Sequence, residues 1–142
     1  MYQEKSIGRI ISCIHRYTHI HMHKKMESYN IGSGQFFFLT RLYHHPGINQ
    51  EMLAESLSVD KATCARAIKK LEEQGFVIRI RDETDKRAYQ ILLTDKAKKL
   101  KPQIKQILQE WTRNLLKGFT QEEQQQLFTY LERIEHNASI YK

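Results

Sequence analysis

Apolar residues recur at near-helical spacing over most of the chain. In residues 5–28, Ile7, Ile10, Ile11, Ile14 and Tyr17 fall on one stripe, which Asn30 and Gly32 interrupt. Ser33 is placed to cap a second helix, GQFFFLTRLYHH, stopped by Pro46-Gly47. A short helix, NQEMLAESL, follows, with Met52, Leu53 and Leu57 expected inward. The next helix lies in VDKATCARAIKKLEEQG. Asp60 suits its N-cap because a carboxylate there accepts an orphan backbone N–H. Gly75 suits its end because glycine takes positive φ at little cost.

After Gly75 the period changes. FVIRIR and AYQILL are rich in β-branched and aromatic residues and flank the polar DETDKR, which predicts a β-hairpin with a charged tip. The helical period then returns. Thr94 opens a long helix with Ala97, Leu100, Ile104, Ile107, Leu108, Trp111 and Leu115 on one side, and Pro102 is expected to kink it. Gly118 ends it. Thr120 and Glu123 have capping-box spacing before a last helix bearing Leu127, Phe128, Tyr130, Leu131 and Ile134.

The fold class is therefore mainly α with a small β-hairpin. The terminal helices look too long to bury their stripes against one small middle lobe, so each chain end is expected to meet a partner. This divides the chain into residues 1–32 and 94–142 as dimerisation helices, with a separate middle lobe at 33–93.

The chain's 142 residues suffice for one real core. Its 23 Lys+Arg against 16 Asp+Glu leave +7, so polyanions are the first partners to consider. Two cysteines, Cys13 and Cys64, do not make a disulfide scaffold. No 18-residue apolar stretch spans a membrane, and the N-terminal residues lack a signal-peptide core. A cytoplasmic address, no membrane partner and no cofactor are expected.

The order helix, helix, turn at Ser58-Val59, helix, hairpin is the helix-turn-helix signal with an added wing. In the helix after Asp60, Cys64, Ala67, Ile68 and Leu71 share an inward face. Lys61, Ala62, Thr63, Ala65, Arg66, Lys69 and Lys70 are left outward. Small residues let the backbone approach base edges, Arg66 reaches guanine or phosphate, and Lys69 and Lys70 suit phosphates. Neutralised phosphates release counterions, which supplies affinity. At the hairpin, Arg79, Arg81, Lys86 and Arg87 gather, with Asp85 spaced to hold the Arg87 guanidinium for a narrow minor groove. A basic face that is merely solvated is the bland alternative.

From Gly32 onward the sequence resembles the MarR-type (multiple antibiotic resistance) winged-helix regulators. The resemblance rests on GQFFFLTRL, on INQEMLAESLSVDKATCARAIKKLEEQGFVIRIRDETDKRAYQILLTDKAKKL and on TQEEQQQLFTYLERI. Its most specific piece is the wing, with Asp85 and Arg87 two apart and a strand ending in Leu93-Thr94. Ala97 stands where such proteins usually have glycine, and DETDKR lacks their common proline and second arginine. The resemblance implies a winged helix-turn-helix with long terminal dimerisation helices. It also implies a homodimer on double-stranded DNA at a pseudo-palindromic site, and a repressor released by a small molecule, an oxidant or a metal. Two-fold symmetry sets the half-sites ~10 bp apart. About four phosphates neutralised per subunit give a salt slope near −7.

Three sensing elements are candidates. His15, His19 and His23 recur at i, i+4 and i+8, a spacing that lets two rings share a metal. The resemblance itself does not support a metal. Cys13, beside Arg16 and Tyr17, is the redox candidate. His15, Arg16, Tyr17, Phe36, Phe37, Phe38 and Trp111 are the candidate cleft for a small aromatic or phenolic effector, with Arg16 or His15 holding its charge. An enzyme is disfavoured, because no nucleotide-binding glycine loop, HExxH or placed Ser-His-Asp set occurs. A winged helix used for protein contacts without DNA is the remaining alternative.

Overall fold

The computed structural model describes residues 5–85 and 87–142. They form two compact units, divided between Lys105 and Gln106. Helix α1 (Ile7–Met26) runs into a 3₁₀ turn (Glu27–Tyr29) and is followed by α2 (Ser33–His44), α3 (Gln50–Ser56) and α4 (Lys61–Glu73). Strands β1 (Val77–Arg81) and β2 (Tyr89–Leu93) come next, then α5 (Asp95–Leu115), which crosses the boundary, and α6 (Gln121–Ser139).

The first unit is built around an apolar core. Met22, Met26, Ile31, Phe36, Leu39, Leu42, Leu53, Ile68, Leu71 and Phe76 are almost fully buried, as are Ile91, Ala97 and Ile104 from the hairpin and α5. Each large side chain among them contributes ~1.5–3 kcal/mol by leaving water. Tyr43 ties α2 to α5: its hydroxyl donates to the Ala97 carbonyl at 2.5 Å, and burial pushes it up to about 12.

Local chemistry sets the helix ends. Asp60 accepts the Thr63 N–H at 2.6 Å, which holds its carboxyl below the usual range. Asn49 does the same for Met52 N–H at 2.7 Å. Helix α4 closes with Gly75 at φ +79°, its N–H donating to Glu72 O and the Phe76 N–H to Leu71 O. Helix α3 ends on the same motif without glycine. Ser58 sits at φ +53°, its N–H on Glu55 O and the Val59 N–H on Ala54 O. Antiparallel β1 and β2 pair Val77 with Leu93 and Arg81 with Tyr89. A bridge from Asn49 to Gln90 adds a third short segment.

Two local expectations are corrected. Ser33 does not cap α2; the N-cap is Gly32, with Ser33 already inside the helix and no side-chain cap bond. Met52 points outward and is 55% exposed, because α3 turns Leu53 and Ala54 to the core instead. Pro102 lies inside α5, which runs from Asp95 to Leu115. Thr94 does open α5, accepting the Ala97 N–H at 3.3 Å while donating to Gly75 O at 2.6 Å.

In the second unit, α6 starts with a complete capping box. The Thr120 hydroxyl accepts from Glu123 N–H, and the Glu123 carboxylate accepts from Thr120 N–H. Phe128, Tyr130 and Leu131 of α6 are exposed.

Candidate nucleic-acid interface

Helix α4 divides as its wheel requires. Cys64, Ala67, Ile68 and Leu71 are buried, and Lys61, Ala62, Arg66, Lys69 and Lys70 are exposed. Thr63 and Ala65 are half-buried at the margin of the exposed face. Two contacts arrange the polar side. The Arg66 Nη2 donates to Thr63 Oγ1 at 3.2 Å, and Lys61 Nζ lies 3.1 Å from Glu51 of α3. The inward Cys64 donates its thiol to Gln50 O at 3.6 Å, and burial pushes it up to about 11.

The hairpin tip is ordered by its own side chains. Asp82 Oδ1 accepts both the N–H and the hydroxyl of Thr84, at 2.9 and 2.7 Å, and its carboxyl is held low by those bonds. Asp82 N–H donates to Ala88 O, and Ala88 N–H to Asp85 O. Asp85 then accepts the Arg87 N–H at 3.0 Å and stands 3.6 Å from Arg87 Nε. This is the carboxylate–guanidinium arrangement expected from their spacing. Lys86 lies outside the described residues.

The two strand arginines differ from that picture. Arg79 is in mid-strand rather than at the tip, and its Nε and Nη2 fork onto both Glu72 oxygens of α4, each at 3.3 Å. It also lies 5.2 Å from the Tyr89 ring centre, and Arg81 lies 5.8 Å from the same ring. Arg79 thus braces the wing against α4, while Arg81 stays exposed. A cleft of about 470 Å³ lies between α3, α4 and the wing, lined by Gln50, Glu51, Lys61, Asp85, Arg87 and Tyr89. Glu51, Glu72 and Tyr89 had no place in the sequence reasoning; only a known packing of α3, α4 and β2 assigns them partners.

The sensing candidates are only partly brought together. Phe36 and Phe38 are buried, at 1% and 5% exposure, so they pack the core rather than line an open cleft. Phe37 is half-buried and stacks on His19, ring centres 4.5 Å apart, with His15 at 5.9 Å. Tyr17 is exposed, and Trp111 belongs to the second unit. Arg16 donates to Cys13 Sγ at 3.1 Å and to Ser12 Oγ at 3.3 Å. His15 and His19 meet through their Nε2 atoms at 2.8 Å, whereas His23 joins no ligand cluster. Among the described residues no group of three or more His, Cys, Asp or Glu is placed to hold a metal.

Comparison with known proteins agrees with this geometry. The MarR family model matches residues 31–89, from two residues before α2 to the first residue of β2. The uncharacterized HTH-type transcriptional regulator YybA of Bacillus subtilis is 37% identical over 94% of this chain and 86% of its own. A MarR transcriptional regulator from Methanosarcina mazei superposes with TM-score 0.94 at 46% identity, over 96% of this chain and 98% of that one. The chain belongs to the MarR family. A MarR-family regulator of Listeria monocytogenes, solved with a 26mer DNA, superposes with TM-score 0.88 at 32% identity, covering 94% of this chain and 89% of its own. As a MarR-family member the protein is a DNA-binding transcriptional regulator of the winged-helix class, with α3 and α4 as its helix-turn-helix and the β1–β2 hairpin as its wing. No helix among the described residues is long and apolar enough to cross a membrane.

Proposed function

We propose that the protein acts as a homodimer on a pseudo-palindromic operator, as a repressor that a small aromatic or phenolic effector releases. The observation that carries the DNA part is the joint presence, in one compact unit, of the exposed Arg66, Lys69 and Lys70 on α4 and the carboxylate-held Arg87 on the wing. Helix α4 enters a major groove, and Arg87 reaches the flanking backbone or minor groove. Arg66 reads a base edge or a phosphate, Lys69 and Lys70 take phosphates, and Ala62 and Ala65 allow close approach. Arg81 adds charge along the wing.

The dimer is supported by unpartnered apolar surface. In α1, Ile7, Ile10, Ile11, Ile14, Tyr17 and Ile20 are all exposed, a stripe that a soluble helix rarely leaves in water. In the second unit, Phe128, Tyr130 and Leu131 of α6 are exposed as well. Residues 1–32 and 94–142 are assigned to the dimer on that ground. For the effector, Arg16, Tyr17 and the accessible side of Phe37 are the groups open to an anionic planar ligand.

The test is selection of bound duplexes from a random library, with sedimentation of the free protein. Enrichment of a pseudo-palindrome by a species of twice the chain mass supports the proposal. A monomer, or binding without sequence preference, overturns it.

A further inference from the structure

Two imidazoles one turn apart on α1 share a hydrogen bond. His15 and His19 bring their Nε2 atoms to 2.8 Å, with the ring planes at 73° to one another. Phe37 of α2 backs the pair, its ring 4.5 Å from that of His19. His15 is exposed and His19 half-buried, so one side of the pair is open to solvent and the other is walled. Helical spacing brings such rings near each other, and packing against Phe37 limits how far the His19 ring swings away.

We propose that His15 and His19 form a two-nitrogen chelate for a divalent transition-metal ion that takes cis ligands near a right angle, Ni²⁺ in particular. At metal–nitrogen distances of ~2.0–2.1 Å, right-angled ligands sit ~2.9 Å apart and tetrahedral ones ~3.3 Å apart. The 2.8 Å contact is a ring-to-ring hydrogen bond, whose shared proton a metal must displace, and it already holds the two nitrogens near the right-angled spacing. Two protein ligands leave the other positions to water on the solvent side. Helix spacing alone relates His23 to His19 as it relates His19 to His15. Unlike the first pair, His23 has no ring nitrogen facing it and no backing aromatic among the described residues.

The experiment is calorimetric titration of untagged protein with nickel chloride, on the wild type and on His15→Ala, His19→Ala and His23→Ala. The expected result is one site per chain, lost in His15→Ala and in His19→Ala and retained in His23→Ala. Broadening of the His15 and His19 ring signals by the paramagnetic ion is the accompanying signature. No saturable binding in the wild type overturns the proposal, and so does binding that survives His15→Ala. His15 is exposed, so its replacement leaves the fold intact even if His19→Ala does not.

Discussion

Asp85 holds Arg87 at two points, accepting its backbone N–H at 3.0 Å and standing 3.6 Å from its guanidinium Nε. The Arg87 side chain is otherwise 95% exposed, so the pair serves presentation rather than stability. Arg87→Ala is expected to weaken DNA binding on the order of tenfold. Asp85→Ala should weaken it less, since the arginine survives but loses its orientation. Fluorescence anisotropy on one duplex, with circular dichroism unchanged in both variants, checks this order. Equal affinity in all three proteins contradicts the wing assignment.

Arg79 has the opposite role, because both its guanidinium contacts go to Glu72. Glu72→Ala should cost about 1 kcal/mol or less, the range of a partly exposed ion pair. It should also free Arg79 and leave DNA affinity unchanged or slightly higher. Urea denaturation and the same anisotropy assay separate these two effects.

The turns at the ends of α3 and α4 share one motif with different residues at the left-handed position, Ser58 and Gly75. Gly75→Ala should destabilise by ~1 kcal/mol, since a Cβ at that φ is strained. Ser58→Gly should stabilise by roughly 0.5 kcal/mol, the relief of strain being partly offset by the looser unfolded chain. Denaturant midpoints measured on both variants test the two signs.

Alkaline pH should expose two buried protons. Burial raises the Cys64 thiol from 9.0 to about 11 and the Tyr43 hydroxyl from 10.0 to about 12. The unfolded chain loses both protons first, so their contribution is complete below the unfolded values. It then declines as pH rises, from 9 to about 11 for Cys64 and from 10 to about 12 for Tyr43. Tyr43→Phe should show a shallower decline above pH ~10. Thiol labelling of the folded protein should modify the half-buried Cys13 and spare Cys64 until denaturant is added.

Much of this was legible in the residues because it is local. Asp60, Gly75, Thr94 and the Thr120–Glu123 box mark helix ends through bonds three or four residues long, and the shift from a period of 3.6 to 2 marks the hairpin. The buried face of α4 followed from its wheel alone. Tertiary packing decided what remained. Ser33 looks like a cap, but it is already the first helical residue, with Gly32 as the N-cap. Phe36, Phe37 and Phe38 are equivalent in sequence, yet the rotation of α2 buries two and leaves the third against His19. Arg79 and Arg87 are both basic hairpin residues, and only the approach of α4 gives Glu72 to the first.

The most direct measurement is the salt dependence of binding to a selected pseudo-palindromic duplex, for the wild type and Arg87→Ala. A dimer with about four phosphate contacts per subunit gives a slope of log K against log salt near −7. Loss of one contact in each subunit makes the Arg87→Ala slope shallower by about 2. A wild-type slope near zero, or identical slopes for the two proteins, would contradict a two-fold winged helix that grips DNA through its wing.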